Sequence, residues 1–376
     1  MLKYIIKRLI SMIPVAIIIS IMLFGMMKIM PGDPAERMVP LNPSADPNQR
    51  ALAVELMRER LGLNKPIYIQ YFRWIRESFE GNFGYSTYYN TPVDFKMYPT
   101  VQFINGQEVT VMQRNKVLSE PLRNSIILNI FSIAIAFLIS IPVGIKSAVK
   151  RFSAYDTGWQ VFSLVGISMP TFFIGLFLIF VLAFKLTPWI ASLSVEWGLR
   201  PETNPFRLFP AGGMPPVPFI EPGNTSITFE QNLEYSLEFI RHLLLPILTL
   251  TIGSLAGTVR YVRNAMLEVI KKDFIRTARS KGLSEKVVIY SHAFRNALIP
   301  VVTIVAGSLV GIFGGSAITE SVFTYHGIGS VLITALTNQD YAIVLVMNMF
   351  YAILALFANL VMDISYAFVD PRVKLD

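Results

Sequence analysis

The sequence lacks cysteine altogether and has only three histidines among its 376 residues. Without cysteine, disulfide bonds and thiolate metal sites are excluded. The histidines (His242, His292 and His326) are too scattered for the spacing that metal ligands need. We therefore predict no metal site in this chain.

Charged residues are also scarce. They make up 15% of the chain, while 53% is hydrophobic, and roughly 25% charged is usual for soluble domains. A large part of the surface must therefore face something other than water. Six apolar runs meet the length of about 17–25 residues that crosses a bilayer, so we predict an all-α membrane protein with six transmembrane helices. They lie near residues 9–30, 122–145, 158–185, 243–267, 298–320 and 342–366.

The distribution of charge predicts the orientation of this single transmembrane domain, residues 1–376. An even number of spans places both termini on one side, which would carry 17 of the 33 basic residues but only seven of the 25 acidic ones. Short basic loops lie in the cytoplasm, so we predict that both termini are cytoplasmic. Topology and membrane lipid thus explain the net charge of +8, and we predict no nucleic-acid partner.

Two long external segments are predicted. In the first, 31–121, ALAVELMRERLGL has helical periodicity and ends at Gly62, and PIYIQYFRWIRESF has the aromatic spacing of an interfacial helix. TVQFI and QEVTVM flank Asn105-Gly106, a strong hairpin signal that predicts a small β-element. The second segment, 186–241, is rich in proline and glycine and predicts loop.

The segment 268–297, between the predicted fourth and fifth spans, is polar and basic. Asp273 is predicted to cap a short helix starting at Phe274, because its carboxylate can accept the free amide hydrogens of the first turn. Gly282 can adopt the left-handed backbone that ends such a helix, and Ser284 can cap a second one. Four apolar residues of the second helix share one face: Leu283, Val287, Tyr290 and Phe294. We expect a bent helix pair at the membrane surface that a partner can grip.

The sequence contains little that could support catalysis. It has no G-x-x-x-x-G-K-[ST] motif, so the chain cannot cradle ATP phosphates itself. Ser308 has no histidine in the final span to act as its base, which argues against an intramembrane serine protease. We predict that the chain is not an enzyme and has no catalytic residue.

Charge within the predicted spans is confined to their ends. For Glu320 and Asp363 we favour pairing with amides or nearby cations over contact with substrate. The connection 320–341 has an amphipathic run expected to dip back toward the pore. We predict an external gate or re-entrant loop there, formed by Glu320, Phe323, Gly327 and Gly329. Ion-coupled transporters usually need ionisable groups near the midplane, so a stand-alone ion-coupled transporter or channel is the weaker alternative.

Several motifs together resemble one family. RTARSKG (276–282) and the following HAFRNALIP are similar to the cytoplasmic signature loop of permease subunits in bacterial ABC importers, in the dipeptide/oligopeptide branch. PGDP at 31–34, LGLNKPIYIQY, GNFGYS, SMPTFF, E-S-V-F-x-x-x-G-I-G and NLVMDISYAFVDPR resemble the first of the two permease subunits in such importers. His326 departs from the pattern, since the family more often has proline there. The segments near 87–118 and 191–232 carry no familiar motif.

The resemblance implies an ABC importer permease fold in the bacterial inner membrane. It implies that the bent helix pair docks on an ATPase subunit through Arg276, Thr277, Ala278, Gly282, Leu283 and Ser284. ATP and magnesium would bind to partner subunits, and this chain would hold no cofactor. The partners would be a second homologous permease, two cytoplasmic ATPase subunits and an extracytoplasmic substrate-binding protein. The cargo would be short peptides, although relatives also carry nickel chelates, glutathione or saccharides. Lys271 and Lys272 are better explained by contact with anionic lipid.

Overall fold

The computed structural model is built mainly of helices. It describes residues 2–29, 32–39, 46–89, 91–94, 97–104, 107–114, 117–198, 208–215 and 229–369. Within these ranges the first half of the chain forms α1 (Leu2–Ile29), α2 (Pro34–Met38), α3 (Pro47–Leu61), α4 (Ile67–Phe79), α5 (Ser119–Val149), α6 (Ala154–Ser168), α7 (Thr171–Leu178) and α8 (Thr187–Glu196). The second half forms α9 (Phe229–Ile270), α10 (Asp273–Ser280), α11 (Glu285–Val287), α12 (Arg295–Gly314), α13 (Ala317–Val322), α14 (Ile328–Thr337) and α15 (Tyr341–Val369).

Two stretches have the wider π-helical winding. Ile179–Leu186 joins α7 to α8, and Val288–Phe294 joins α11 to α12. Both joins are continuous, because the backbone at the boundary residues Ile179 and Arg295 stays right-handed helical.

The predicted class, an all-α membrane protein, is confirmed. Among the described residues, five helices are long and apolar enough to cross a membrane: Tyr4–Ile29, Ser119–Val149, Thr171–Glu196, Leu233–Ile270 and Tyr341–Ile364. The predicted fifth span corresponds to α12, which has 20 residues but is not among these five. The count of six therefore stays a prediction.

One predicted span is interrupted in the structure, and another ends early. The third, 158–185, is interrupted after Ser168, where Met169 is extended (φ −87°, ψ 129°) and Pro170 precedes the next helix. Proline lacks an amide hydrogen and disfavours a helical conformation in the residue before it, which explains the break. The fifth span ends at Gly314, six residues early, because Gly315 has a positive φ of 68°.

The first external segment matches its prediction where it is described. α3 ends before Gly62, whose φ of 71° is left-handed, and α4 is helical as expected. Strands β3 (Met97–Ile104) and β4 (Gln107–Arg114) pair antiparallel, which confirms a small β-element; the predicted turn at Asn105-Gly106 lies outside the described residues. β1 (Tyr85–Ser86) and β2 (Thr91–Pro92) form a second, shorter hairpin.

The loop prediction for 186–241 is wrong at both ends. The apolar helix containing α7 continues through α8 to Glu196, and α9 begins at Phe229. α9 has 42 residues, about 63 Å at 1.5 Å per residue, and this exceeds the ~30 Å hydrocarbon core of a bilayer. The proline and glycine content of this segment correctly predicts the loop at 208–215, but it does not predict the helices on either side.

α9 packs along α5 at the centre of the fold, and small residues allow the close approach. A Cβ placed on Gly144 of α5 would lie 2.7 Å from Val262 Cβ and 3.1 Å from Val259 O of α9. On the next helix, a Cβ on Gly166 would lie 2.7 Å from Ala256 Cβ. Glycine at these positions brings the backbones of α5 and α6 against α9, as is common between membrane helices.

We expect Gly144→Ala to destabilise the protein by about 1–3 kcal/mol, because the added methyl group overpacks a contact with fully buried Val262. The measurement is the apparent melting temperature of the purified protein in detergent. Gly158→Ala is the matched control, since a Cβ there meets nothing within 4 Å. Equal melting temperatures for the two variants would contradict the close α5–α9 contact.

Candidate coupling site and external hairpin

The coupling hairpin, residues 271–294, begins differently from the prediction. The residue that precedes the first helical turn is Lys272, with an extended backbone (φ −70°, ψ 150°), and the helix already includes Asp273. The Asp273 side chain is 96% exposed and lies 3.8 Å from Arg276. The predicted cap is therefore wrong by one residue: a carboxylate inside the first turn points outward and pairs along the helix instead.

The bend itself matches the prediction. Gly282 has a left-handed φ of 73°, and its amide donates to the carbonyl of Arg279 at 2.9 Å. Ser284 occupies the cap position of α11, and its carbonyl accepts from the amides of Val287 and Val288 at 2.9 and 3.0 Å. Its hydroxyl makes no capping hydrogen bond.

An ion pair that the sequence analysis missed spans the bend. Arg279 of α10 donates to both carboxylate oxygens of Glu285 of α11, at 2.6 and 3.2 Å. The guanidinium lowers the pKa of the Glu285 carboxyl. Their separation of six residues is not a helical spacing, so only the geometry of the turn at Gly282 reveals the pair.

The second arm of the hairpin is not a separate helix. α11 has three residues and continues through the π-helical turn into α12. The wider π-helical winding changes the direction of each side chain relative to a regular α-helix. The four residues of the predicted apolar face therefore do not all lie on one side. Leu283, Val287 and Tyr290 are exposed, whereas Phe294 packs against the interior.

A buried cluster holds the hairpin against three long helices. It contains Ile275 and Ala278 of α10, and it extends to α5, α9 and α12. The other members are Ile145, Ala148, Val262, Met266, Val288, Ile289, Ala293, Ala297 and Val301. The hairpin is thus attached to the membrane helices by apolar packing as well as by the chain.

This packing corrects one predicted contact residue. Ala278 is only 6% exposed and belongs to the buried cluster, so its side chain cannot meet a partner. It lies three residues from Ile275, on the inward face of α10. The other residues predicted to contact an ATPase are exposed: Arg276, Thr277, Gly282, Leu283 and Ser284.

The outward face of the hairpin combines apolar and basic groups. Phe274, Leu283, Val287 and Tyr290 are between 39% and 52% exposed. Basic side chains that are also exposed surround them: Lys271, Lys272, Arg276, Lys281 and Lys286. Exposed apolar residues rimmed by polar ones mark sites of protein or membrane interaction.

A buried ion pair lies beside the cluster and was not predicted. Arg263 of α9 donates to both oxygens of Asp156 on α6, at 2.6 and 2.9 Å. The same carboxylate accepts from the Ser147 hydroxyl at 2.6 Å and the Phe152 amide at 2.9 Å. Arg263 holds the pKa of Asp156 well below its usual range. The pair links α5, α6 and α9, and only the fold brings residues 107 positions apart together.

At the opposite end of the helices, Glu320 organises the predicted external gate. It is fully buried, and its Oε1 accepts from the Ser125 hydroxyl at 2.6 Å and the Ser316 amide at 2.9 Å. Its Oε2 accepts from the Ser330 amide at 2.8 Å. A Cβ on Gly327 would lie within 2.6 Å of both carboxylate oxygens. The preferred interpretation, pairing with amides, is confirmed for Glu320.

The two remaining gate residues also lie in this hairpin of α13 and α14. A Cβ on Gly329 would lie 2.6 Å from the Ala317 amide nitrogen, so glycine lets the two helices meet. Phe323 is 1% exposed, and its carbonyl accepts from the amide of Gly213 at 2.7 Å. The four predicted residues are therefore brought together in a closely packed hairpin under the 208–215 loop.

Asp363 pairs with Arg8 across α1 and α15, at 3.0 Å, as the preferred interpretation predicted. In the described part of the chain, no three histidine, aspartate or glutamate side chains are placed to hold a metal ion.

Comparison with family models agrees with this arrangement. Residues 140–375 match the family described as binding-protein-dependent transport system inner membrane component. The chain belongs to this family. Residues 1–93 match the N-terminal model of the binding-protein-dependent transport system membrane component. Membership makes the chain an inner-membrane permease, as the motifs predicted.

Relatives match over the full length. The oligopeptide transport system permease protein AppB of Bacillus subtilis is 33% identical, with 100% of both chains covered. The di/tripeptide transport system permease protein DppB of Pseudomonas aeruginosa is also 33% identical, with 100% of this chain and 99% of the relative covered. Among solved structures, the inward-facing MetNI methionine ABC transporter matches with a TM-score of 0.41 and 16% identity, over 66% of this chain and 96% of that chain.

We expect Asp156→Asn to destabilise this permease by about 3–5 kcal/mol, because it leaves the buried Arg263 without a counter-charge. The measurement is the apparent melting temperature in detergent at pH 7. Asp363→Asn is the control: its partner Arg8 is about half exposed, so a loss of about 0–1 kcal/mol is expected. Equal losses would argue against the buried pair.

The same pair predicts a pH dependence. Because the pKa of Asp156 is lowered on folding, its stabilisation is fully present above the ordinary carboxyl value of about 4. It is lost as the pH falls through the lower folded-state pKa. The stability difference between wild type and Asp156→Asn should therefore be constant from pH 8 to pH 5, and a difference that shrinks in that range would contradict the assignment.

We expect Gly327→Ala to loosen the external hairpin, because its methyl group displaces the Glu320 carboxylate from the amides of Ser316 and Ser330. Hydrogen bonds to charged groups contribute about 1.5–3 kcal/mol, so amide hydrogen exchange over 315–330 should be at least about tenfold faster. Gly314→Ala, where a Cβ meets nothing within 4 Å, should leave exchange unchanged. Unchanged exchange in both variants would contradict the role of Glu320.

Proposed function

We propose that the chain is one permease subunit of an ATP-driven importer of short peptides, and that it forms half of the translocation pathway beside a second, homologous permease. Two cytoplasmic ATPase subunits would supply the energy, and an extracytoplasmic binding protein would deliver the peptide. ATP and magnesium would be held by the ATPases.

The observation that carries the proposal is the two-sided construction of the coupling hairpin. Its outer side presents Phe274, Leu283 and Tyr290 to solvent, and its inner side is buried against α5, α9 and α12. A protein seated on the outer side would therefore move the three membrane helices with it. Rigid-body movement of this kind is a common way for a transporter to change between its inward-open and outward-open states.

The alternative, a stand-alone ion-coupled transporter, is not favoured. Ion coupling uses ionisable groups that bind and release the ion near the midplane. Three carboxylates at or near the ends of described helices have fixed protein partners: Asp156 binds Arg263, Glu320 binds two amides and a hydroxyl, and Asp363 binds Arg8.

The choice of peptides as cargo rests on the relatives. Their names specify oligopeptides, dipeptides and di- or tripeptides. Nickel chelates, glutathione and saccharides are the competing substrates. The direct test is uptake of labelled di-, tri- and pentapeptides into cells with and without this chain. Peptide uptake should disappear on deletion and return with the intact gene. Loss of saccharide or nickel uptake alone would overturn the assignment of cargo.

We expect the double variant Leu283→Glu/Tyr290→Glu to release the ATPase, because two exposed apolar side chains of the outer face become charged. Central apolar contacts each contribute about 2 kcal/mol or more to an interface, so co-purified ATPase should fall at least about tenfold. Phe152→Glu is the matched control, since this side chain is 76% exposed in the connection between α5 and α6, outside the hairpin. Retention of the ATPase by the double variant would contradict docking at this surface.

A further inference from the structure

Helix α4 packs against α1 and is followed in the chain by the short hairpin β1–β2, and its side chains fall into three groups. Tyr71 and Trp74 pack on α1 through Phe24, with ring centroids 5.5 and 5.7 Å away. Two ion pairs, Arg73–Glu77 at 2.8 Å and Arg76–Glu80 at 3.1 Å, lie on the polar side. The third group is apolar and exposed.

This third group, the apolar stripe of α4, consists of Tyr68, Phe72 and Phe79. Intervals of four and seven residues place them on one face of the helix. They are 61%, 66% and 89% exposed. Three large aromatic side chains on one short helix are unusual for a surface in contact with water.

The contacts of α4 fix its depth relative to the membrane span in α1. The Tyr71 hydroxyl lies 2.7 Å from the Ser20 hydroxyl, and the Lys28 ammonium donates to the side chain of Gln70. Ser20 lies nine residues before the end of the span at Ile29, or about 14 Å at 1.5 Å per residue. α4 therefore packs beside the outer third of a membrane-spanning helix, where the surrounding medium is lipid.

We propose that α4 is embedded in the outer leaflet, with the apolar stripe among the acyl chains and the two ion pairs toward the headgroups. Lys28 extends from the span end to Gln70, as cations do at the edge of the hydrocarbon. An amphipathic helix with aromatic residues on one face and charges on the other is suited to this position.

This arrangement would let α4 hold the external segment in position, a role separate from that of the coupling hairpin. α1 and the β1–β2 hairpin are joined through it, and Ser86 of that hairpin donates to Asp340 at the start of α15. Lipid on one side of α4 and α1 on the other would hold the beginning of the external segment at a constant depth. This role is independent of the cargo and of the ATPase.

The absence of cysteine makes the proposal directly testable by spin labelling. Phe72→Cys and Phe79→Cys place the label on the stripe, and Arg73→Cys and Glu77→Cys on the polar side of the same helix are the matched controls. Each variant is labelled with a nitroxide in the full complex, reconstituted in phospholipid nanodiscs, after its circular dichroism and elution profile are checked against the parent. The cysteine-free parent in the same complex gives the background from partner subunits.

The measurement is collision of the nitroxide with oxygen, which concentrates in lipid, and with a water-soluble nickel chelate. The ratio of oxygen to nickel collisions should be several-fold higher at Phe72 and Phe79 than at Arg73 and Glu77. A high nickel collision rate at Phe72 and Phe79 would overturn the proposal, because the stripe would face water. Low collision rates with both reagents would also overturn it, because a partner subunit would then cover the stripe.

Discussion

The close contact between α5 and α9 is the interaction on which the other packing depends. Gly144 lets the two backbones approach, and α6, α7 and α12 are arranged around the same α9. Without water in the hydrocarbon, helices must gain their association from close packing and internal hydrogen bonds. At the end of this contact nearest the coupling hairpin, side chains of α5 and α9 belong to the buried cluster, so the candidate site packs directly on the core.

Three buried carboxylates each connect neighbouring elements of the fold. Asp156 ties the connection between α5 and α6 to α9, Glu320 ties α13 to α14, and Asp340 ties the β1–β2 hairpin to α15. In each case the carboxylate accepts hydrogen bonds from loop amides or hydroxyl groups that would otherwise be unpaired. These three carboxylates therefore fix the connections between neighbouring elements.

The sequence predicts the parts of the fold that depend on local chemistry. The apolar runs identify the membrane helices, Gly282 identifies the bend, and the residues flanking Asn105-Gly106 identify the paired strands. It fails where the outcome depends on neighbours in space. The π-helical turn at 288–294 divides a face that regular winding would have kept together, so that Tyr290 is exposed while Phe294 packs against the interior. Nor can spacing reveal the pairs Asp156–Arg263 and Arg279–Glu285, because each requires the chain to turn first.

The two arms of the coupling hairpin are attached to the membrane helices in different ways. Between α9 and α10 the helix is interrupted at Lys271 and Lys272, whereas α11 runs into α12 without a break. A force on the hairpin would therefore be transmitted to α12 directly along the continuous helix. It would reach α9 only through side-chain packing, because two non-helical residues separate α10 from α9.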